Sequence, residues 1–155
     1  MPICRAQGVG PWVYISQDMD THPDSRLPAA VALSYLGSFA TGDPETIASH
    51  VGEDFINDHA SALGSPSRGR QEYLRRLPAF LASLPGLHYD ADQPIVDGPR
   101  VAAPYTLHAS GLSKDQHVVP ITIRGVMLMR IENGLITKRL DVWDALTYLR
   151  QVGEA

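Results

Sequence analysis

Residues 124–153 read RGVMLMRIENGLITKRLDVWDALTYLRQVG, and this stretch decides the fold. Asn133-Gly134 predicts a two-residue type I′ turn, because both central residues of that turn need a positive φ. With this turn, Glu132 pairs with Leu135, and the strands on either side form a hairpin. Asp141 then lies within an otherwise apolar strand pair. A carboxylate in such a place must be paired, hydrogen-bonded or used for chemistry.

The same register places Asp141 opposite Val126 and Arg124 opposite Trp143. Arg124 is then diagonal to Asp141 on one face, within reach of a long side chain. Burial would raise the pKa of the Asp141 carboxyl, and the neighbouring guanidinium would lower it. A carboxyl group balanced in this way suits proton abstraction next to a carbonyl. An ion pair that only fixes the strand register is the alternative, since such pairs also perturb pKa values.

Upstream of the hairpin, the hydrophobic pattern changes from helical to strand-like. Helical periodicity comes first, interrupted by one short extended segment, and strand-like segments follow. Helices that precede an antiparallel meander are typical of an α+β domain with its helices on one face of the sheet. The predicted helices are 27–40, 44–51, 70–84 with a kink at Pro78, and 145–152 after an Asp144 cap; the predicted strands are 54–60, 87–96, 100–110, 117–131 and 135–143.

The composition limits the classes of function. The chain has 155 residues, 44% of them hydrophobic, which suits one domain with one core. Its formal net charge of -4 leaves no basic field to attract nucleic acid or anionic lipid. Cys4 is the only cysteine, which fits a reducing compartment, and no apolar run approaches the ~20 residues of a membrane span. We therefore expect a cytoplasmic protein with neither nucleic-acid nor membrane partners.

Residues 1–25 and the two faces of the hairpin suggest how the domain is organised. Gly, Pro, Asp and Ser are frequent in residues 1–25, which predicts an extended arm before a folded domain at 26–155. An antiparallel sheet needs only one buried face, so a hairpin with two apolar faces predicts a homodimer. The first face carries Ile121, Ile123, Met127, Met129, Ile131, Ile136, Leu140 and Val142; the second mixes Val126, Leu128 and Trp143 with Arg124, Arg139 and Asp141.

These elements resemble a known family. The segment FINDHA before Gly69, Arg70 and Tyr73, the strand YTLHASG, the ENGLI turn and the end LDVWDALTYLRQVG are similar to SnoaL-like polyketide cyclases. That group belongs to the nuclear transport factor 2-like superfamily, and the similarity runs over 27–153. It implies a cone-shaped α+β barrel, a curved sheet wrapped around N-terminal helices. The superfamily uses this cone for isomerases, dehydratases, cyclases, epoxide hydrolases and proteins without catalysis.

The resemblance also implies roles for particular residues. LDVWD is similar to the last strand of limonene epoxide hydrolases, whose aspartate falls on Asp141. Arg124 matches their arginine on the neighbouring strand, but Val126 replaces their second aspartate, which argues against a two-carboxylate hydrolase. SnoaL-like cyclases often carry a histidine facing the pocket on the strand of His108, which would hold a substrate oxygen. A solvent-facing strand histidine is the alternative.

The wall of the implied pocket is mostly apolar. In this fold the strand 54–60 enters the pocket mouth, so alternation places Asn57 and His59 in the wall, whereas Asp58 favours capping the next turn. Aromatic residues suit a small hydrophobic guest, although plain core packing would explain them as well. The six histidines have no metal-binding spacing, so we expect neither metal nor cofactor. The predicted ligand-binding residues are Tyr35, Phe39, Asn57, His59, Tyr73, Val126, Leu128 and Trp143.

Two classes of function remain open at this point. In the first, a cofactor-free cyclase, isomerase or hydrolase acts on a small carbonyl or epoxide compound through Asp141 as acid or base. Arg124 would orient that carboxyl, and His108 and His59 would hold substrate oxygens. In the second, a dimer binds a small apolar ligand without chemistry or serves as an accessory subunit. The grouping of Arg124, Asp141 and His108 favours the enzyme, and the missing carboxylate at Val126 favours the alternative.

Overall fold

Four α-helices and seven strands make up the part of the chain that the computed structural model describes, residues 27–155. The predicted arm at 1–25 lies outside these residues. Within them, no helix is long and apolar enough to cross a membrane. The elements are α1 (Pro28–Ser38), a 3-10 turn (Phe39–Thr41), α2 (Pro44–Ala48), β1 (Val51–His59), β2 (Ser67–Arg68), α3 (Arg70–Ser83), β3 (His88–Ala91), β4 (Ile95–Asp97), β5 (Arg100–Leu112), β6 (Val118–Glu132), β7 (Leu135–Trp143) and α4 (Ala145–Val152).

Local side-chain signals fix the ends of the short helices. The carboxylate of Asp43 accepts a hydrogen bond from the backbone N–H of Thr46 at 3.1 Å, which caps α2. Asp144 caps α4 in the same way, through the backbone N–H of Thr147 at 3.0 Å. Gly153 ends α4 in the left-handed region, with φ 77°, where glycine carries no steric penalty.

The seven strands form one curved, mixed sheet in the order β2-β1-β7-β6-β5-β3, with β4 paired to β5. β1 runs parallel to β7, and the other pairs are antiparallel. α1 packs across β3, β5, β6 and β7, while α3 packs on β1 and β2. The predicted α+β class is therefore confirmed, with a sheet that curves around the helices without closing. The largest fully buried side chains include Tyr35, Phe39, Phe55, Ile121 and Met127.

The turn between β6 and β7 has the predicted form. Asn133 and Gly134 have φ values of 52° and 76°, as a type I′ turn requires. Glu132 pairs with Leu135 directly across the turn. The sequence therefore placed the hairpin and its first rung correctly.

A β-bulge interrupts the hairpin two rungs beyond the turn. Ile131 pairs with Ile136, whereas the next residue on β6, Arg130, pairs with Lys138. β7 thus contains one extra residue, Thr137, which has no pairing partner on β6. An extra residue in one strand shifts the register and exchanges the faces of everything beyond it.

The bulge makes the predicted register of the functional end of the hairpin wrong by one residue. Asp141 lies opposite Met127 instead of Val126, and Trp143 no longer lies opposite Arg124. Asp141 is buried with Met127 on the side of the helices, whereas Arg124 is exposed on the outer face. The predicted pairing of Arg124 with Asp141 therefore does not form.

Candidate functional site

A cavity of about 340 Å³ lies on the concave side of the sheet. It is bounded by α3, by β1 and the loop after it, and by residues of β5, β6 and β7. Its wall combines aliphatic side chains with several aromatic rings and a few polar groups, which is the usual composition of a small-molecule site. The aromatic rings in the wall are those of Phe39, Tyr73, Phe80, Tyr89, Tyr105, Trp143 and Tyr148.

Four polar side chains meet in one part of this wall. The parallel pairing of β1 with β7 sets Asn57 beside Arg139 and His59 beside Asp141. Side chains two residues apart share a face of a strand, so all four point to the same side. All four line the cavity. The bulge at Thr137 is what turns Arg139 and Asp141 to this side.

Arg139 is a buried cation held by neutral groups. Its side chain is buried, with 5% exposure, and its Nη1 and Nη2 donate to the Tyr35 hydroxyl at 2.6 Å and to Asn57 Oδ1 at 2.5 Å. The guanidinium carbon lies 5.8 Å from the ring centroids of both Tyr35 and Tyr73. Burial acts against the charge, but attraction to the two phenol oxygens and to Asp141 keeps the pKa of Arg139 above its ordinary value.

Asp141 presents one oxygen to the protein and leaves the other free. Its Oδ1 accepts a hydrogen bond from the Tyr105 hydroxyl at 2.7 Å, and its exposure is only 7%. Burial and the nearby carboxylate raise the pKa of Tyr105, so the phenol stays protonated and remains a donor. Among residues 27–155, Oδ2 has no hydrogen-bond donor. The carboxylate is thus oriented by one hydrogen bond, and its residue lines the cavity.

Gly125 makes room for the ring that holds Asp141. It pairs with Tyr105 across β5 and β6. A Cβ at position 125 would lie 2.5 Å from Cζ of that ring and 2.8 Å from the carbonyl oxygen of Val142. The missing side chain therefore lets Tyr105 cross the glycine and reach the carboxylate. Glycine inside a strand often marks such a close approach.

His59 is a titratable member of the polar group that stays neutral. Burial first, and then the charge of Arg139, lower its pKa, against the opposite effect of Asp141 and Asp58. The imidazole is therefore neutral at neutral pH. Its Nδ1 is buried with no hydrogen-bond partner in the described part of the chain. The loop after β1 packs on it so closely that a Cβ on Gly64 would lie 2.5 Å from its Cγ.

The three residues predicted as catalytic do not converge. Asp141 lines the cavity, but Arg124 lies on the outer face because of the bulge. His108 also points away from the cavity. Its Nε2 is 3.1 Å from Asp90 Oδ2, and its ring stacks on that of His88 with the ring centroids 5.2 Å apart. Strand alternation explains this placement, since Tyr105 and Leu107 are the residues of β5 that line the cavity and His108 follows on the opposite face.

The predicted ligand-binding residues divide into three groups. Tyr35 lies behind the wall, buried and bonded to Arg139, while Val126 and Leu128 lie on the outer face, again because of the shifted register. For the rest, a role in binding stays a prediction that their position allows. Those that line the cavity are Phe39, Asn57, His59, Tyr73 and Trp143.

Sequence reasoning missed Arg139 and Tyr105. Alternation along the strand did place Arg139 on the face of Asp141. The sequence pattern gave Arg139 no opposite carboxylate, so it was not predicted as a site residue. The signal for Tyr105 was Gly125, an isolated glycine inside a long strand. Among the described residues, no group of three or more histidine, cysteine or acidic side chains is arranged to hold a metal ion.

A curved sheet that wraps around helices and borders a largely apolar cavity is the ketosteroid isomerase-like architecture, and solved structures match it. A protein from Shewanella denitrificans OS-217, described as a SnoaL-like polyketide cyclase, superposes with TM-score 0.72 at 17% identity, covering 83% of this chain and 98% of that one. An epoxide hydrolase of limonene type from M. tuberculosis gives 0.67 at 15% identity, covering 81% and 88%. A Catenulispora acidiphila protein with the ketosteroid isomerase-like fold, in complex with trimethylamine, gives 0.71 at 15%, covering 81% and 93%.

The sequence itself places the chain in a family. The model of the SnoaL-like domain matches residues 32–139, and the chain belongs to that family. No curated protein matches the sequence. The predicted resemblance is therefore confirmed, and the fold is one shared by proteins described as cyclases, isomerase-like proteins and epoxide hydrolases.

Proposed function

We propose that the protein is a cofactor-free enzyme of the cyclase, isomerase or hydrolase type, acting on a small, largely apolar carbonyl compound with Asp141 as acid–base. One observation carries the proposal. The carboxylate is buried and belongs to the wall of an aromatic cavity, one of its oxygens is fixed by Tyr105, and the other has no hydrogen-bond donor among residues 27–155. A fixed, desolvated carboxylate is well suited to proton transfer at carbon.

The reaction follows from this arrangement. Oδ2 of Asp141 takes a proton from the carbon next to the carbonyl, so a C–H bond breaks and an O–H bond forms. The electron pair moves towards the carbonyl oxygen. The enolate carbon then either bonds to a second carbonyl carbon of the same substrate, whose oxygen takes the proton back from Asp141, or the enolate is reprotonated by Asp141 at another carbon. Neutral His59, beside Asp141 on β1, lies where it can hold a substrate oxygen.

A binding module without chemistry is the second candidate. Among residues 27–155, Asp141 is the only acidic residue in the cavity wall, so a mechanism that needs two carboxylates finds no second partner there. Such a protein would hold a small apolar ligand in the same cavity. The experiment on Asp141 distinguishes the two.

The test compares two substitutions of the same kind. Asp141→Asn removes the acid–base group, while Asp144→Asn changes the exposed cap of α4, where asparagine also caps well. Both are assayed with β-diketones, Δ5-ketosteroids and epoxides, by product formation and by exchange of substrate hydrogen with deuterated water. We expect Asp141→Asn to lose about 10²–10⁴-fold in rate and Asp144→Asn to keep the wild-type rate.

The other outcomes decide against the proposal. Equal rates for Asp141→Asn and wild type would remove the carboxylate from the mechanism. A wild-type protein that turns over none of these compounds, but melts at a higher temperature with one of them, would be the binding module.

We also propose that the active form is a homodimer built on the outer face of the sheet. On this face two rungs of β5, β6 and β7 are entirely apolar, where Leu128 and Val142 keep 43% and 41% exposure. A solvent-exposed patch of this kind marks a contact surface. Light scattering of the protein at micromolar concentration tests this, with a dimer as the expected mass and a monomer as the refutation. The rungs are Ala102–Leu128–Leu140 and Pro104–Val126–Val142.

A further inference from the structure

We propose that Arg139 forms an oxyanion subsite, so that the cavity takes a compact two-ring enol or phenol and binds it with a negatively charged oxygen. The inference rests on the proposed function in using the same cavity and in giving Asp141 the proton that the ligand loses. It adds the chemical class of the ligand and the group that recognises it.

The first argument is the unused donor capacity of a buried cation. A guanidinium has five N–H donors. Arg139 uses one for Tyr35 and one for Asn57, and its Nε is buried with no partner among residues 27–155. Buried polar groups normally have hydrogen-bond partners, and Arg139 lines the cavity, so a ligand oxygen at the remaining Nη hydrogens would supply an acceptor that residues 27–155 do not.

The second argument is that no negatively charged group is in direct contact with Arg139. Burial raises the pKa values of Tyr35 and Tyr73, so both phenols beside Arg139 stay neutral, and Asn57 carries no charge. Among the described residues, no carboxylate oxygen lies within the 4.0 Å of a salt bridge to Arg139. The guanidinium therefore has no counter-ion in direct contact, and a negatively charged ligand oxygen in the cavity would form a charge-assisted hydrogen bond with it.

The third argument is the charge balance of the site. With an ionised Asp141 and a neutral ligand, the polar group holds one positive and one negative charge, because His59 is neutral. When the acidic proton of the ligand moves to Asp141, the ligand O–H bond breaks, a carboxyl O–H bond forms, and the electron pair stays on the ligand oxygen. The total charge is unchanged, but the negative charge now lies beside Arg139. Arg76 adds a further cation in the wall, with its Nε hydrogen-bonded to Glu72.

The size of the cavity sets the size of the ligand. A protein cavity of about 150 Å³ holds one benzene molecule. The present volume of about 340 Å³ therefore suits two fused rings. Rings such as Tyr73, Tyr89 and Trp143 provide faces and edges for a flat aromatic guest.

The wild-type protein provides the first test. The probe is a nitro-substituted 2-naphthol, whose phenolate has its own visible absorption band, and the matched neutral probe is its methyl ether. Titrations are run roughly one pH unit below the solution pKa of the naphthol, where the free probe is mainly neutral. We expect the bound naphthol to show the phenolate band and to bind at least about 10-fold more tightly than the ether. A neutral spectrum on binding, or equal affinities, would overturn the proposal without any variant.

Two variants assign the effect to Arg139. Arg139→Gln should weaken naphtholate binding by about 10- to 100-fold, as for the loss of a charge-assisted hydrogen bond, and leave ether binding unchanged. The matched control is Arg130→Gln, the same substitution at an exposed arginine on the outer face of β6. It should change neither affinity. An equal loss for both probes in Arg139→Gln would mean that the residue supports only the shape of the cavity.

Asp141→Asn separates this inference from the proposed function. An amide carries no negative charge, so it should strengthen naphtholate binding while it abolishes proton transfer. Tight phenolate binding with no turnover of any substrate would leave the subsite standing and refute the enzyme. Turnover that depends on Asp141, together with a probe that binds only in its neutral form, would do the reverse.

Discussion

Replacing Gly125 with alanine tests whether the close packing of Tyr105 on this glycine holds the cavity wall together. In Gly125→Ala, the new Cβ would lie 2.5 Å from Cζ of Tyr105 and 2.8 Å from the carbonyl oxygen of Val142. Contacts this short cannot persist, and the second involves backbone that cannot swing away. The ring of Tyr105 must move, and its hydroxyl then leaves Asp141, which it now meets at 2.7 Å.

The size of the effect follows from these two losses. Overpacking a well-filled site costs about 1–3 kcal/mol, and losing a hydrogen bond to a buried charged group costs about 1.5–3 kcal/mol. Because both act through Tyr105, they do not add fully. We expect the free energy of unfolding to fall by about 3 kcal/mol. For a chain of this length that lowers the melting temperature by about 6–12 °C.

The measurement is urea and thermal denaturation followed by circular dichroism. Gly37→Ala is the matched control, because no atom lies within 4 Å of a Cβ there and the residue is inside α1. Alanine should stabilise that helix by about 0.5–1 kcal/mol. Tyr105→Phe should cost little further stability in the Gly125→Ala background, since the hydroxyl has already left Asp141. If Gly125→Ala melts with the wild type, or if the two substitutions add, the account of this wall is wrong.

Two further predictions concern pH and assembly. The lowered pKa of His59 means that the unfolded chain takes up a proton below about pH 6.5 while the folded chain does not, so stability should decrease as the pH falls through that value. His59→Gln should flatten this part of the stability profile measured in urea, and an unchanged slope would contradict a neutral buried imidazole. Leu128→Lys, on the outer face, should convert the proposed dimer to a folded monomer in light scattering, whereas a variant of unchanged mass would place the interface elsewhere.

Sequence patterns sufficed for the architecture because its signals are local. Asn133-Gly134 specifies a turn by its φ requirement, and Asp43-Pro44 specifies a helix start by capping. The two-residue strand β2 was not foreseen, since two residues leave no periodicity to detect. The α4 cap at Asp144 was predicted and is present.

The site was harder to predict because it depends on register over a distance. Threonine is common in strands, and no feature of the sequence LITKRLDVW indicates that Thr137 is unpaired. A register counted without the bulge placed Arg124 beside Asp141 on one face. In the structure, the arginine that lines the cavity with Asp141 is Arg139. His108 was misplaced for a related reason, because a resemblance between strands does not fix which face a residue takes, and here Leu107 takes the cavity face. Only three-dimensional pairing separates these alternatives.

The unpaired Thr137 also changes what counts as a conserved feature when relatives are compared. Each added or lost residue between the turn and Arg139 moves Arg139 and Asp141 to the other face of the sheet. That number therefore decides whether the two side chains face a ligand or bulk water. A homologue could keep every letter of the RLDVW segment, lack a single residue upstream, and present the same letters to the opposite environment. Gaps near this position therefore carry more information about chemistry than identities do.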